Sequence, residues 1–144
     1  MAAAFTVTCA SVGTEPSPMQ ADIDETVAMA EECTAGLTRA FDRLDRKFVA
    51  NRDRKSAIFG GGFYGTLFVS RALGRASISC FVDSNPHLWG KTILGISVLP
   101  PKSLPDDIEV VYVGLNPNRA REIVRAVPAL QRSGLELAFL ETQS

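Results

Sequence analysis

One stretch limits what this chain can become: Ala57-Ile58-Phe59-Gly60-Gly61-Gly62-Phe63-Tyr64-Gly65. A short apolar run meets three consecutive glycines and passes straight into a second apolar segment. That order reads as a buried strand, a tight turn and a helix. Gly60, Gly62 and Gly65 have G-x-G-x-x-G spacing. In such a turn the first glycine bends the chain. The second lets an anionic group approach the backbone, and the third lets the helix pack closely on the strand.

The segments that follow supply a sheet. Ser77 to Val82 reads as a second strand ending in Asp83. An acid at the end of a second strand, about twenty residues past a glycine turn, is placed to bond a ribose hydroxyl. Asp83 also suits an Asx-turn with Ser84, Asn85 and Pro86, and both roles can hold together. Ile96 to Leu99, Glu109 to Val113 and Leu135 to Leu140 read as further strands. No crossover helix fits between Asp83 and Ile96. Asn116-Pro117 reads as the start of a helix bearing Ala120, Ile123, Val124, Val127 and Leu130, which Pro128 must kink or interrupt. With right-handed crossovers the expected sheet order is 3-2-1-4-5, counting Ile96 to Leu99 as strand three. Gly60 to Gly65 then face Gly114 to Pro117 across one crevice, so Asn116 joins the candidate site. Phe63 and Tyr64 are the members able to close it, because a ring turned into the crevice would fill the anion's space.

Upstream, Ser17-Pro18-Met19-Gln20 is a helix start, with Ser17 as cap and Gln20 as its capping-box partner. Ile23, Val27, Ala30, Thr34, Leu37, Phe41, Leu44 and Phe48 then repeat in steps of four and three. An unbroken helix to about Ala50 would run on the order of 50 Å. The rest of the chain should form a body with a radius of gyration of about 12 Å. Either the helix breaks near Gly36 and folds back as a hairpin, or its exposed seam meets another chain. The first half is acidic and the second mainly basic, which suits the helix dipole and an antiparallel partner. The expected organisation is a mobile tail over 1–16, a helix or helical hairpin over 17–51 and a sheet domain over 55–141. Arg52, Arg54 and Lys55 would lie at the N-terminal end of the first strand, the wrong edge for a phosphate, and read as a solvated linker.

Composition excludes several classes. The 144 residues carry a net charge of -1, so no bulk affinity for nucleic acid or an anionic membrane is expected. No apolar run reaches the roughly 18 residues needed to span a bilayer, and residues 1 to 8 make a poor signal peptide. Cys9, Cys33 and Cys80 fit neither a zinc site nor a disulfide framework, and a reduced cytoplasmic setting is expected. Catalytic machinery is missing too. Tyr64 and Tyr112 have no lysine four residues on. Asp22-Ile23-Asp24 reads as a dipole-compensating acid pair rather than a metal site. His87, the only histidine, has no evident orienting partner.

Taken in register, Ile58 to Gly65, Phe81-Val82-Asp83-Ser84-Asn85-Pro86, Trp89-Gly90-Lys91, Leu94 to Val98 and Leu104-Pro105 carry a resemblance over about residues 56 to 140. The chain resembles the small NAD(P)-binding-like Rossmann modules of sugar-nucleotide and polysaccharide biosynthesis proteins, which are also appended to some methyltransferases and glycosyltransferases. The resemblance implies an α/β fold with a parallel sheet. It also implies NAD or a nucleotide-sugar held at Gly60, Gly62, Phe63, Tyr64, Gly65, Asp83 and Asn116. Family members with chemistry usually carry a second, catalytic domain. The expectation is therefore a nucleotide-binding accessory module without its own complete catalytic site. Two other readings stand beside it. One is a ligand-free interaction domain that forms a homodimer through the 17–51 helix. The other is a subunit of a sugar-nucleotide oxidoreductase or transferase.

Overall fold

The computed structural model describes residues 17–142; the tail expected over 1–16 lies outside them. Helix α1 (Pro18–Ala50) is continuous over 33 residues. Of the two alternatives read for this segment, the break near Gly36, and with it the hairpin, does not form. A single glycine costs only about 1 kcal/mol relative to alanine, and no proline interrupts the segment.

By contact the chain divides after Ala35 into two units. In the first, the described residues are Ser17 and the exposed part of α1 up to Ala35. Ser17 Oγ accepts the Gln20 N–H at 3.2 Å and so caps the helix as expected. Gln20 does not reach back to complete the capping box. Its side-chain amide donates instead to Asp24 Oδ1 at 2.9 Å, one turn onward. Among the described residues nothing covers Ile23 or Val27, which remain 46% and 48% exposed.

The second unit is a layered α/β domain built on β1 (Ser56–Phe59), β2 (Ile78–Val82), β3 (Thr92–Ile93), β4 (Ile96–Leu99), β5 (Val110–Val113) and β6 (Glu136–Phe139). The sheet order is β3-β4-β2-β1-β5-β6. All pairings are parallel except the antiparallel β3–β4 hairpin. Five of the six strands therefore stand in the order read from the sequence. The sixth, β3, was not anticipated. It is two residues long and turns through Leu94 and Gly95, whose φ angles of 49° and 80° give the doubly left-handed turn that tight hairpins favour.

Alternation along the strands makes two cores. Ile58, Phe81, Val110, Tyr112 and Ala138 face one side. Ala57, Phe59, Cys80, Val82, Val111 and Val113 face the other. Helix α2 (Phe63–Ala72) and the Ala40–Phe48 part of α1 cover the first face. The Phe48 ring lies 4.5 Å from that of Tyr112, and Phe41 meets Phe68 edge-on at 6.1 Å. Each fully buried side chain of this kind contributes about 1.5–3 kcal/mol. Arg71 forks onto Asp45 at 3.0 and 2.6 Å, tying α2 to α1. The second face is covered by α3 (Ala120–Arg125), by a short 3-10 turn at Pro128–Gln131 and by Leu104 and Ile108.

Helix α3 is shorter than expected. Asn116 Oδ1 accepts the Asn118 N–H at 3.0 Å, so residues after Asn116 form a turn before the helix begins. Of the two outcomes expected at Pro128, interruption is the one found: α3 ends at Arg125 and Pro128 starts a 3-10 turn. Among the described residues, no helix is long and apolar enough to cross a membrane.

Candidate functional site

The glycine turn lies between the C-terminal end of β1 and the start of α2, at the point where the strand order reverses. Ligands of open α/β sheets bind at such a point. Gly60 N–H donates to the Val82 carbonyl and Gly114 N–H to that of Phe59, each at 2.8 Å. These bonds lock the mouth of the crevice.

Three glycines here are required by contact. Gly60 has φ of 106°, and a Cβ on it would sit 2.5 Å from the Gly114 carbonyl oxygen. A Cβ on Gly65 would lie 1.7 Å from the Gly60 carbonyl oxygen, and one on Gly114 would lie 2.7 Å from Gly65 Cα. Gly60, Gly65 and Gly114 thus bring β1, α2 and β5 together backbone to backbone. Gly62 differs. Its φ is -91°, and a Cβ there would meet nothing within 4 Å. Neither conformation nor packing demands glycine at this position.

Gly62 is also the N-cap of α2 and supplies no side-chain cap. The N–H groups of Gly62, Phe63 and Tyr64 make no hydrogen bond among the described residues, as the open first turn of a helix leaves them. Phe63 is 75% exposed, with its ring edge-on to Tyr64 at 5.4 Å. Its ring is not packed into the turn.

Asp83 is held on both oxygens. Oδ2 accepts the Gly61 N–H at 2.6 Å, and Oδ1 accepts the Asn85 N–H at 2.7 Å in the Asx-turn. Each oxygen keeps a second lone pair for a further donor. Trp89 Nε1 donates to the Asp83 carbonyl at 2.6 Å and clamps the loop from behind. Asn116 stands exposed past the end of β5, its side-chain oxygen occupied by its own turn.

Two cavities flank the turn along the same edge, and neither was read from the sequence. One, of about 370 Å³, is bounded by Ser84, Trp89, Pro100, Pro101, Lys102 and Ala126 to Ala129. The other, of about 280 Å³, is bounded by Pro117, Asn118, Arg121, Phe139, Leu140, Glu141 and Thr142. Proline-rich and polar loop residues carry no periodic signal, so only the folded edge brings them together.

Among the described residues no three of His, Cys, Asp or Glu cluster as a metal site. His87 is exposed, and its backbone N–H serves the Asn85 turn. Of the basic residues before β1, Arg52 and Lys55 are exposed, as a solvated linker would be, and Arg54 is half-buried. Arg54 pairs with Glu136 at 2.8 Å and Lys55 with Asp107 at 2.6 Å. The hydrogen bond to Asp107 raises the Lys55 pKa, and the same bond lowers that of Asp107. These pairs sit at the N-terminal edge of the strands, away from the crevice. The Cys80 thiol is buried, and burial raises its pKa, which suits a core residue rather than a nucleophile.

No family model matches the sequence, and no curated protein matches it. Among solved structures, the chain is similar to RSP, a Rex-family repressor, at 14% identity, covering 63% of this chain and 55% of that one with a TM-score of 0.45. RSP in complex with β-NADH is similar at 14% identity, covering 65% and 57% with a TM-score of 0.45. RSP with β-NAD+ and operator DNA is similar at 13% identity, covering 72% and 58% with a TM-score of 0.46. The chain therefore spans less than two thirds of the length of these proteins. All three TM-scores lie below 0.5, and the Rossmann-like α/β reading rests on the chain's own sheet order and glycine turn.

Proposed function

We propose that the chain is a nucleotide-binding accessory module that holds NAD or a nucleotide-sugar on Gly60 to Gly65. Gly62 carries this reading. It is a glycine that the fold does not need, at the open start of a helix, where a missing side chain leaves room for a pyrophosphate to reach free N–H groups. In this reading Gly60 and Gly65 shape the turn, and Asp83 bonds a ribose hydroxyl. The base lies toward Trp89 and Pro100. Phe63, Tyr64 and Asn116 border the ligand without closing the site.

The test is calorimetry and thermal shift with NAD, NADP, UDP-sugars and S-adenosylmethionine. A bound ligand at 100 times its dissociation constant should stabilise the chain by about 2.7 kcal/mol. Silence from all four would sink the proposal. A second outcome follows from charge. The Asp83 carboxylate would face a 2′-phosphate directly, so NAD should bind at least about tenfold more tightly than NADP. Equal affinities would remove Asp83 from the ribose site.

The exposed seam of α1 supports a second element of the proposal, a homodimer formed through the 17–51 helix. Met19, Ile23, Val27 and Leu37 are all at least 40% exposed along it. Light scattering at micromolar concentration should give twice the monomer mass; a monomer would discard the idea.

A further inference from the structure

We propose that the polar cavity at the ends of β5 and β6 holds a hydroxylated sugar carried on the β-phosphate of a nucleoside diphosphate, with Arg121 and Glu141 as donor and acceptor. This rests on the reading of the glycine turn as a pyrophosphate site and adds the class of group attached beyond it.

The position comes from the sheet. The cavity beside Trp89 and Pro100 follows β2 and β4, the glycine turn follows β1, and the polar cavity follows β5 and β6. All three lie at the C-terminal ends of parallel strands. The order β2-β1-β5-β6 puts the turn between the two cavities. At about 4.8 Å per strand spacing, β2 and β6 are about 14 Å apart, a span for a ligand with two ends and an anionic middle. The polar cavity, at about 280 Å³, is just below the ~300–1,000 Å³ of sites that take a whole small molecule, so it suits one end of a larger ligand.

The chemistry comes from the pair. Arg121 Nη2 lies 2.7 Å from Glu141 Oε1, and its guanidinium stacks on the Phe139 ring at 4.2 Å. The Glu141 carbonyl accepts from Arg43 Nη2, which fixes that backbone. Both side chains are thus held in place while still half exposed. The remaining guanidinium N–H groups and Glu141 Oε2 have no partner among the described residues. Because the two charges neutralise one another, the cavity has no net charge with which to hold another phosphate. It offers donors and an acceptor side by side, which is what vicinal hydroxyls need.

Calorimetry on the full chain tests this with two matched sets, UDP against UDP-glucose and ADP against ADP-ribose. In at least one set the sugar-bearing ligand should bind about tenfold more tightly than its parent diphosphate. Arg121→Ala should erase that advantage and leave the parent diphosphate within about twofold of its wild-type affinity. Glu141→Gln keeps the shape of the side chain and should erase part of the advantage, which guards against a folding artefact in the first variant. The set that responds identifies the sugar's source. Equal affinity for sugar-bearing and parent ligands, or an Arg121→Ala loss that falls equally on both, overturns the proposal while leaving the diphosphate site standing. Absence of any diphosphate binding overturns both.

Discussion

Gly65→Ala is expected to destabilise the fold severely, although alanine is the better helix former by about 1 kcal/mol. Gly65 lies within α2, where local propensity alone makes this substitution favourable. Tertiary contact reverses the sign. The added Cβ would lie 1.7 Å from the Gly60 carbonyl oxygen and 2.8 Å from its carbon. Both are backbone atoms, with no flexible side chain that can swing aside. Nor can Gly60 retreat. Its N–H is bonded to Val82, and its own Cα face is pressed against the Gly114 carbonyl. Relief requires α2 to lift off β1, which opens the packing of Phe68, Val69 and Ala72 against the sheet. A loss above about 4 kcal/mol is expected, the range reserved for overpacking and buried backbone strain. At about 4–8 °C per kcal/mol, circular dichroism should show the melting midpoint fall by more than about 15 °C. A variant that melts within about 3 °C of the parent would show that the close approach of the three glycines is wrong.

The same glycines show where sequence reasoning worked and where it could not. The strand order was legible because Ala57 to Phe59, Cys80 to Val82 and Val110 to Val113 are continuous apolar runs, as strands buried on both faces must be. The β1-turn-α2 unit was legible because G-x-G-x-x-G is local. The strand order also placed Gly114 across the crevice from Gly60 to Gly65, but not in backbone contact with Gly65. That contact joins residues that are distant in sequence. The Asp83–Gly61 hydrogen bond and the Arg121–Glu141 pair are also products of folding, between groups with no shared local pattern. The misses have physical causes as well. The β3–β4 hairpin turns through a leucine at positive φ, a residue no turn rule would choose. The helix bearing Ala120 to Leu130 is interrupted before Pro128 as expected, but the Asn116 side chain also closes a turn at its start, which leaves only a short helix and a 3-10 turn. The choice between a broken and an unbroken helix at Gly36 was not legible locally, since one glycine in a long helical stretch is a small perturbation.

Gly62→Ser separates stability from binding at the position where the fold has left both free. Serine is a stronger N-cap than glycine by a few tenths of a kcal/mol, because its oxygen accepts one of the open N–H groups of the first turn. The backbone at Gly62 is extended, and its Cβ position is empty, so the substitution introduces no strain. The melting midpoint should hold or rise by about 1–2 °C. Nucleotide affinity should move the other way. The serine side chain would occupy the space that the pyrophosphate needs and would consume an N–H that the phosphate oxygens would otherwise accept. A loss of about 2.7 kcal/mol, about a hundredfold in dissociation constant, is expected by calorimetry with NAD or a UDP-sugar. A glycine that forgoes a better cap, with nothing within 4 Å of its Cβ position, is the observation on which the proposed ligand rests. If the variant gains stability and binds as tightly as the parent, the glycine turn is a packing device alone and the nucleotide must be sought elsewhere.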